Sequence, residues 1–204
     1  KGRIKFKNAN LKTCFNHSSL RDRGPSFRDT RDACLPAGRR AKMDGGKQMT
    51  TSLRRILIVH PYGIGDLLFV TPVFRALRLI PTVETVDLLL GSRTREVVEN
   101  NPHIDSIFVV DKDRAHRQTW AENLRDQWEL GRELRARHYD LILDYSLRRE
   151  HAFFGRFFLG IPRCAGFAYK KRATFHNIRY TLPEGFRKRH DVDFNCDLAE
   201  AAGI

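Results

Sequence analysis

The sequence predicts an α/β fold, a Rossmann-like, doubly wound and mostly parallel sheet, preceded by a basic tail without a folding pattern. Three observations predict it. From Arg54 onward, short apolar runs rich in β-branched residues alternate with longer stretches of helical spacing, as expected of strands buried on both faces and joined by crossover helices. Gly, Pro, Asn or Asp punctuates these segments, marking turns between elements. Charge is also divided unevenly, with 13 Lys/Arg against 4 Asp/Glu in residues 1–53 and 24 against 20 in residues 54–204.

Ile56-Leu57-Ile58-Val59 is the first strand, and His60-Pro61-Tyr62-Gly63-Ile64-Gly65 is the turn that ends it. Residues 66–78 are apolar around most of a helical circumference, which suits a helix packed on a sheet, with Pro72 expected to kink its first turns. Val83 to Leu90 reads as a second strand, Thr94 to Glu99 as a short helix and Ser106 to Val110 as a third strand. Helical spacing returns over Thr119 to Arg137. Asp140 to Asp144 is a fourth strand, Arg149 to Leu159 a helix with the aromatic face Phe153, Phe154, Phe157 and Phe158, and Gly160-Ile161-Pro162 its stop. Arg163 to Phe167 is a fifth short strand, and Asp191 to Ala202 a last helix ending at Gly203.

The net charge of +13 suggests nucleic acid until its distribution is considered. The excess lies mainly in residues 1–53, which show neither strand alternation nor a helical stripe and read as a disordered tail or a misassigned start ahead of Met43 or Met49. Without aromatic interleaving or a recognised module, such a tail predicts no specific nucleic-acid partner. Cys14, Cys34, Cys164 and Cys196 form no C-x-x-C pair, so reduced thiols in a cytoplasmic protein are expected. No run reaches the roughly 18–20 apolar residues of a membrane span.

In an open α/β sheet, ligands bind beyond the carboxyl ends of the strands. The residues there are Gly63 to Asp66, Gly91 to Arg95, Asp111 to Arg114 and Asp144 to Arg149. Gly63 and Gly65 let the backbone turn and approach a ligand, and Asp66 stands at the start of a helix, where a carboxylate can take a proton from a sugar hydroxyl or cap the helix. The loop lacks the third glycine of G-x-G-x-x-G, with Leu68 in its place, and no G-x-x-x-x-G-K-[ST] occurs, which argues against a nicotinamide enzyme and a P-loop hydrolase. Arg93 and Arg95, Arg148 and Arg149, and Lys170-Lys171-Arg172 gather at the same edge, where they would attract an anionic acceptor or remain solvated. Asp111-Lys112-Asp113 after the third strand has the form of a divalent-cation site or a turn, and Asp191-Val192-Asp193 that of a helix start. His60 closes the first strand and lines the presumed cleft or is held structurally.

Ile56-Leu57-Ile58-Val59, Gly65-Asp66, and Thr71-Pro72 with Arg75-Ala76-Leu77 together resemble the opening of glycosyltransferase family 9, the ADP-heptose:lipopolysaccharide heptosyltransferases. Asn101-Pro102-His103-Ile104-Asp105, Tyr139 to Asp144, Gly160 to Arg163, Ala165-Gly166-Phe167 and His190 fit the same pattern, so the resemblance runs from about Arg54 to Ile204. It implies the N-terminal, acceptor-side half of a GT-B enzyme, transferring a heptose or related sugar with inversion. Asp66 would be its general base, with no metal and no cofactor besides the nucleotide-sugar donor, ADP-heptose in this family. The implied acceptor is an anionic glycolipid or saccharide of the lipopolysaccharide type, met peripherally at the cytoplasmic face of the inner membrane. The sequence departs from the family's Asp-Leu-Gln triplet at Asp144-Tyr145-Ser146, which Arg148-Arg149 follow. The family continues beyond the position of Ile204 into a donor-binding domain, so the chain alone is expected to be inactive. Two rival readings stand beside this one: a metal-dependent transferase using Asp111 and Asp113, and a non-catalytic module binding sugars or anions.

Overall fold

The computed structural model describes residues 53–111, 115, 117–168, 173–181 and 190–204. Residues 1–52 of the expected tail, Lys112 to Arg114 with Asp113, and Lys170 to Arg172 lie outside these residues, while Leu53, the last residue assigned to the tail, is buried in the core. Strands β1 (Arg55–His60), β2 (Thr85–Gly91), β3 (Ser106–Val110), β4 (Leu141–Asp144), β5 (Arg163–Phe167) and β6 (Ile178–Tyr180) form one sheet in the order β3-β2-β1-β4-β5-β6. Every neighbouring pair is parallel. This is the doubly wound order in which the winding reverses at β1 and β4, the point beyond whose carboxyl ends ligands bind in such sheets.

The central strand shows why two helical layers are needed. Successive side chains point to opposite faces of a sheet, and Ile56, Leu57, Ile58 and Val59 are all buried. Ile56 and Ile58 join the core beneath α1 (Ile64–Leu68), α2 (Thr71–Arg78) and α6 (Asp191–Ala201), with Leu67, Phe74, Leu77, Phe194 and Leu198. Leu57 and Val59 join the opposite core, with Leu134 from α4 (Trp120–Ala136) and Leu159 from the segment after α5 (Arg149–Phe153). A short turn, Ser92–Thr94, and α3 (Arg95–Val98) connect β2 to β3.

Carboxylates tie the strand ends together. Asp140 accepts hydrogen bonds from the backbone N–H of Arg54 and Arg55, both at 2.9 Å, fixing the start of β1 beside β4. Within β2, the fully buried Asp87 accepts from Tyr139 Oη at 2.6 Å and from Arg137 at 3.2 Å, so this charge is paired.

The structure alters several sequence expectations. The single helix expected over residues 66–78 is two, α1 and α2, broken at Phe69 and Val70. Pro72 has no N–H to offer the carbonyl of Leu68, and the Thr71 hydroxyl donates to that carbonyl instead, at 2.7 Å. The helix expected over Arg149 to Leu159 changes register, α5 giving way to a π turn at Phe154–Phe158 with Leu159 N–H donating to Phe154 O at 3.0 Å. Strand β6 was not expected. By contrast, α4 begins at the expected Thr119, whose side chain and that of Glu122 cap each other's backbone N–H. Asp191 and Asp193 fall in the first turn of α6, as expected of a helix start.

Candidate functional site

The carboxyl ends of β1 and β4 adjoin at the reversal point, with Val59 paired to Asp144 and Tyr145 N–H donating to Val59 O at 3.0 Å. After β1 the chain passes Pro61 and Tyr62 and enters α1, whose N-cap is Gly63. Asp66 is therefore the third residue of that helix and not its cap, and no side chain caps α1. The Asp66 side chain is exposed and, among the described residues, makes no hydrogen bond or ion pair.

Gly63 and Gly65 require a different explanation from the sharp turn expected of them. Neither adopts a positive φ. A Cβ added to either would meet nothing within 4 Å. What the two glycines provide is bare, open backbone beside Asp66. Exposed Ile64 and Leu68 flank this surface on the same short helix.

Beneath it lies His60, 2% exposed, with its ring edge-on to Tyr62 at 5.9 Å and tilted against Tyr145 at 6.5 Å. Its Nδ1 is buried without a hydrogen-bond partner. Burial pushes the imidazole below its ordinary pKa, and the negative charge of Asp66 opposes that shift in part. The unfolded chain therefore takes up a proton near pH 6.5 that folded His60 resists. The stability that this linkage contributes is complete above that pH and is lost as pH falls toward the lowered folded value. Denaturant unfolding of wild type and His60→Asn across this window should show the wild type losing the more stability on acidification, by up to about 1.4 kcal/mol per pH unit. Parallel curves would remove His60 as the cause.

On the β4 side, Asp144 is buried and its Oδ1 accepts from Ser146 N–H at 2.8 Å. Its Oδ2 lies 3.1 Å from Nε2 of His176, itself buried, and His176 Nδ1 has no partner. Gly166 in β5 makes room for that ring, since a Cβ there would lie 2.3 Å from His176 Nε2. Tyr145 donates to Asn195 O at 3.1 Å and Asn195 Nδ2 donates to Phe69 O at 3.3 Å, so α6 ties the end of β4 to the end of α1. Sequence reading passed over His176 and Asn195. The one local signal was an aspartate closing an apolar strand, which must find a partner once buried.

Of the expected basic residues, Arg93 stands exposed in the turn after β2, which packs beside α1. Arg148 caps α5 and Arg149 begins it, both exposed after β4. Arg93, Arg148 and Arg149 thus follow the carboxyl ends of β2 and β4, the two strands flanking β1. Asp111 follows β3, the edge strand, two strands from β1, about 10 Å along the sheet. It lines a separate groove of about 880 Å³ with Val109 and Asp126. Among the described residues there is no group of three or more His, Cys, Asp or Glu able to hold a metal ion. Cys164 and Cys196 form no disulfide among the described residues, and burial raises the Cys164 thiol to about 12, which leaves it unreactive.

No family model and no curated protein sequence matches the chain. Solved structures do. The glycosyl transferase family 9 protein of Veillonella parvula DSM 2008 is 20% identical, with a TM-score of 0.59 over 76% of this chain and 43% of that one. The Escherichia coli heptosyltransferase WaaC with ADP-2-deoxy-2-fluoro heptose is 20% identical, with a TM-score of 0.61 over 73% and 48%. Over the matched residues the chain shares the fold of part of these two structures. The E. coli ADP-heptose lps heptosyltransferase II agrees, at 20% identity and a TM-score of 0.51 over 64% of this chain and 35% of that one. The chain spans less than half the length of each of these heptosyltransferase-fold structures.

Proposed function

We propose that the chain is the N-terminal, acceptor-side part of an inverting glycosyltransferase that moves a heptose or related sugar from a nucleotide sugar, ADP-heptose, to an anionic acceptor of the lipopolysaccharide type. The observation that carries this reading is Asp66, an exposed carboxylate without a hydrogen-bond partner among the described residues, on bare glycine backbone at the reversal point of a heptosyltransferase fold. An acceptor hydroxyl placed there loses its proton to Asp66 as its oxygen bonds to the sugar's anomeric carbon and the nucleoside diphosphate departs from the opposite face. Arg93, Arg148 and Arg149, with Lys170, Lys171 and Arg172, hold the acceptor's negative groups. A second domain of the kind implied by the relatives' greater length holds the donor. An anionic glycolipid acceptor brings the protein to the cytoplasmic face of the inner membrane as a peripheral contact.

The test is release of ADP from ADP-heptose by the full-length protein. Release that requires a lipopolysaccharide-core acceptor and continues in a chelator supports the reading. Release that a chelator stops points instead to metal at Asp111 and Asp113, and acceptor binding without any turnover points to a binding module.

Gly65 gives a second test because stability and activity should part company. Gly65→Ala has room and a permitted φ, so helix propensity should raise stability by about 0.5–1 kcal/mol. A methyl on the acceptor-facing backbone should raise KM for the acceptor. An unchanged KM would mean that nothing approaches this backbone.

A further inference from the structure

The layer formed by α4 and α5 has an outer surface unlike the rest of the fold. Trp120, Leu124 and Trp128 stand at i, i+4 and i+8 on α4, and the two tryptophans are 80% and 59% exposed. Trp128 meets Phe158 edge-on at 5.5 Å, and Phe158 stacks on Phe154 at 4.7 Å. Phe153 and Phe157, 50% and 61% exposed, continue the ridge on the adjoining α5 and π turn, closed at the far end by Phe175. Seating α4 this closely depends on Gly131, where a Cβ would meet the Phe158 ring at 2.9 Å.

Arginines edge the ridge. Arg156 lies over the Phe157 ring at 5.8 Å, Arg135 donates to Phe158 O at 3.0 Å, and Arg149 shares the exposed face of α5 with Phe153. Of the acidic residues of α4, Asp126, Glu129 and Glu133 line the groove beside β3 together with Arg132, and Glu122 caps the start of the helix. Glu129 also pairs with Arg125 at 2.9 Å, and Glu150 is the acidic neighbour on α5.

We propose that this aromatic, arginine-edged face docks on an anionic lipid bilayer. Trp and Phe seat in the headgroup region while Arg reaches the phosphates. A second copy of the chain suits the same face poorly, because a two-fold contact sets the patch against itself and brings arginine against arginine. The proposal rests on the glycolipid-acceptor reading for why a membrane is met, and it assigns that contact a surface. Its test needs neither donor nor acceptor, so docking and transfer can fail independently.

The chain's two tryptophans both lie on this face, so the full chain carries its own reporter, blind to lipid contacts made by the basic residues 1–53. Phosphatidylglycerol-containing vesicles should shift tryptophan emission to the blue, and pure phosphatidylcholine vesicles should do so only weakly. Phe153→Ser with Phe157→Ser should weaken vesicle partition about tenfold. Arg156→Gln, which removes the guanidinium from the Phe157 ring but leaves the ring–ring contacts in place, should weaken it about fivefold. No shift with the anionic vesicles, or variants that bind as wild type does, would overturn the proposal. So would a blue shift that follows protein concentration without lipid and accompanies dimer mass in sedimentation, which would assign the face to a second copy.

Discussion

Asp66→Asn in the full-length protein should lower kcat by about a hundred- to ten-thousand-fold, the usual contribution of a positioned general base, with little change in KM for the acceptor. The substitution is isosteric, and Asp66 is exposed with no hydrogen bond or ion pair among the described residues. Folding stability should therefore move by no more than about 0.5 kcal/mol. Had Asp66 capped its helix, the loss of charge would have shown in stability as well. Because Gly63 occupies the cap position, the two effects separate, and steady-state kinetics beside denaturant unfolding read them in one pair of proteins. A stable variant that keeps wild-type kcat would take the proton away from Asp66.

Gly166→Ala should produce the largest loss of stability. Its backbone φ is not positive, so alanine is permitted by conformation. The added Cβ would lie 2.3, 2.4 and 2.9 Å from Nε2, Cδ2 and Cε1 of His176. That ring is buried and hydrogen-bonded to buried Asp144, so it cannot retreat without breaking that bond. Overpacking of this kind and a buried polar group left without its partner each cost about 1–3 kcal/mol. In a double-mutant cycle with His176→Ala, the penalty of the alanine should largely vanish, because the clash needs the ring. A penalty that persists in the His176→Ala background would place the clash elsewhere. Since Asp144 also holds Ser146 N–H, at the start of the loop leading to Arg148 and Arg149, disturbance here should reach those arginines too.

Local signals made much of the architecture legible. Ile56 to Val59 is a continuous apolar run because both sheet faces are covered, and Thr119 with Glu122 announces α4 by a pairing that operates within one turn. Strand β3 and strand β5 fall on the expected residues. What escaped depends on groups distant in sequence or on small shifts of register. The π turn exists because Phe154 and Phe158 pack on α4 at Gly131, a tertiary contact. Strand β6 has three residues, too few to show a period, and is held by pairing with β5. In the candidate site, Asp66 and the two glycines were legible from a spacing that resembles a family. His176 was not, since its partner is 32 residues away and its space is made by a glycine on another strand. Of the two roles expected of the glycines, the sharp turn has no positive φ behind it, while open backbone suits the close approach of a ligand.

The most direct test of the central claim is the configuration of the sugar in the product made by the full-length protein from ADP-heptose and a lipopolysaccharide-core acceptor, read by NMR at the anomeric centre. A single displacement gives inverted configuration, one ADP released per sugar transferred, and the loss of both together in Asp66→Asn. Retained configuration, or transfer that proceeds at wild-type rate without the Asp66 carboxylate, would contradict it.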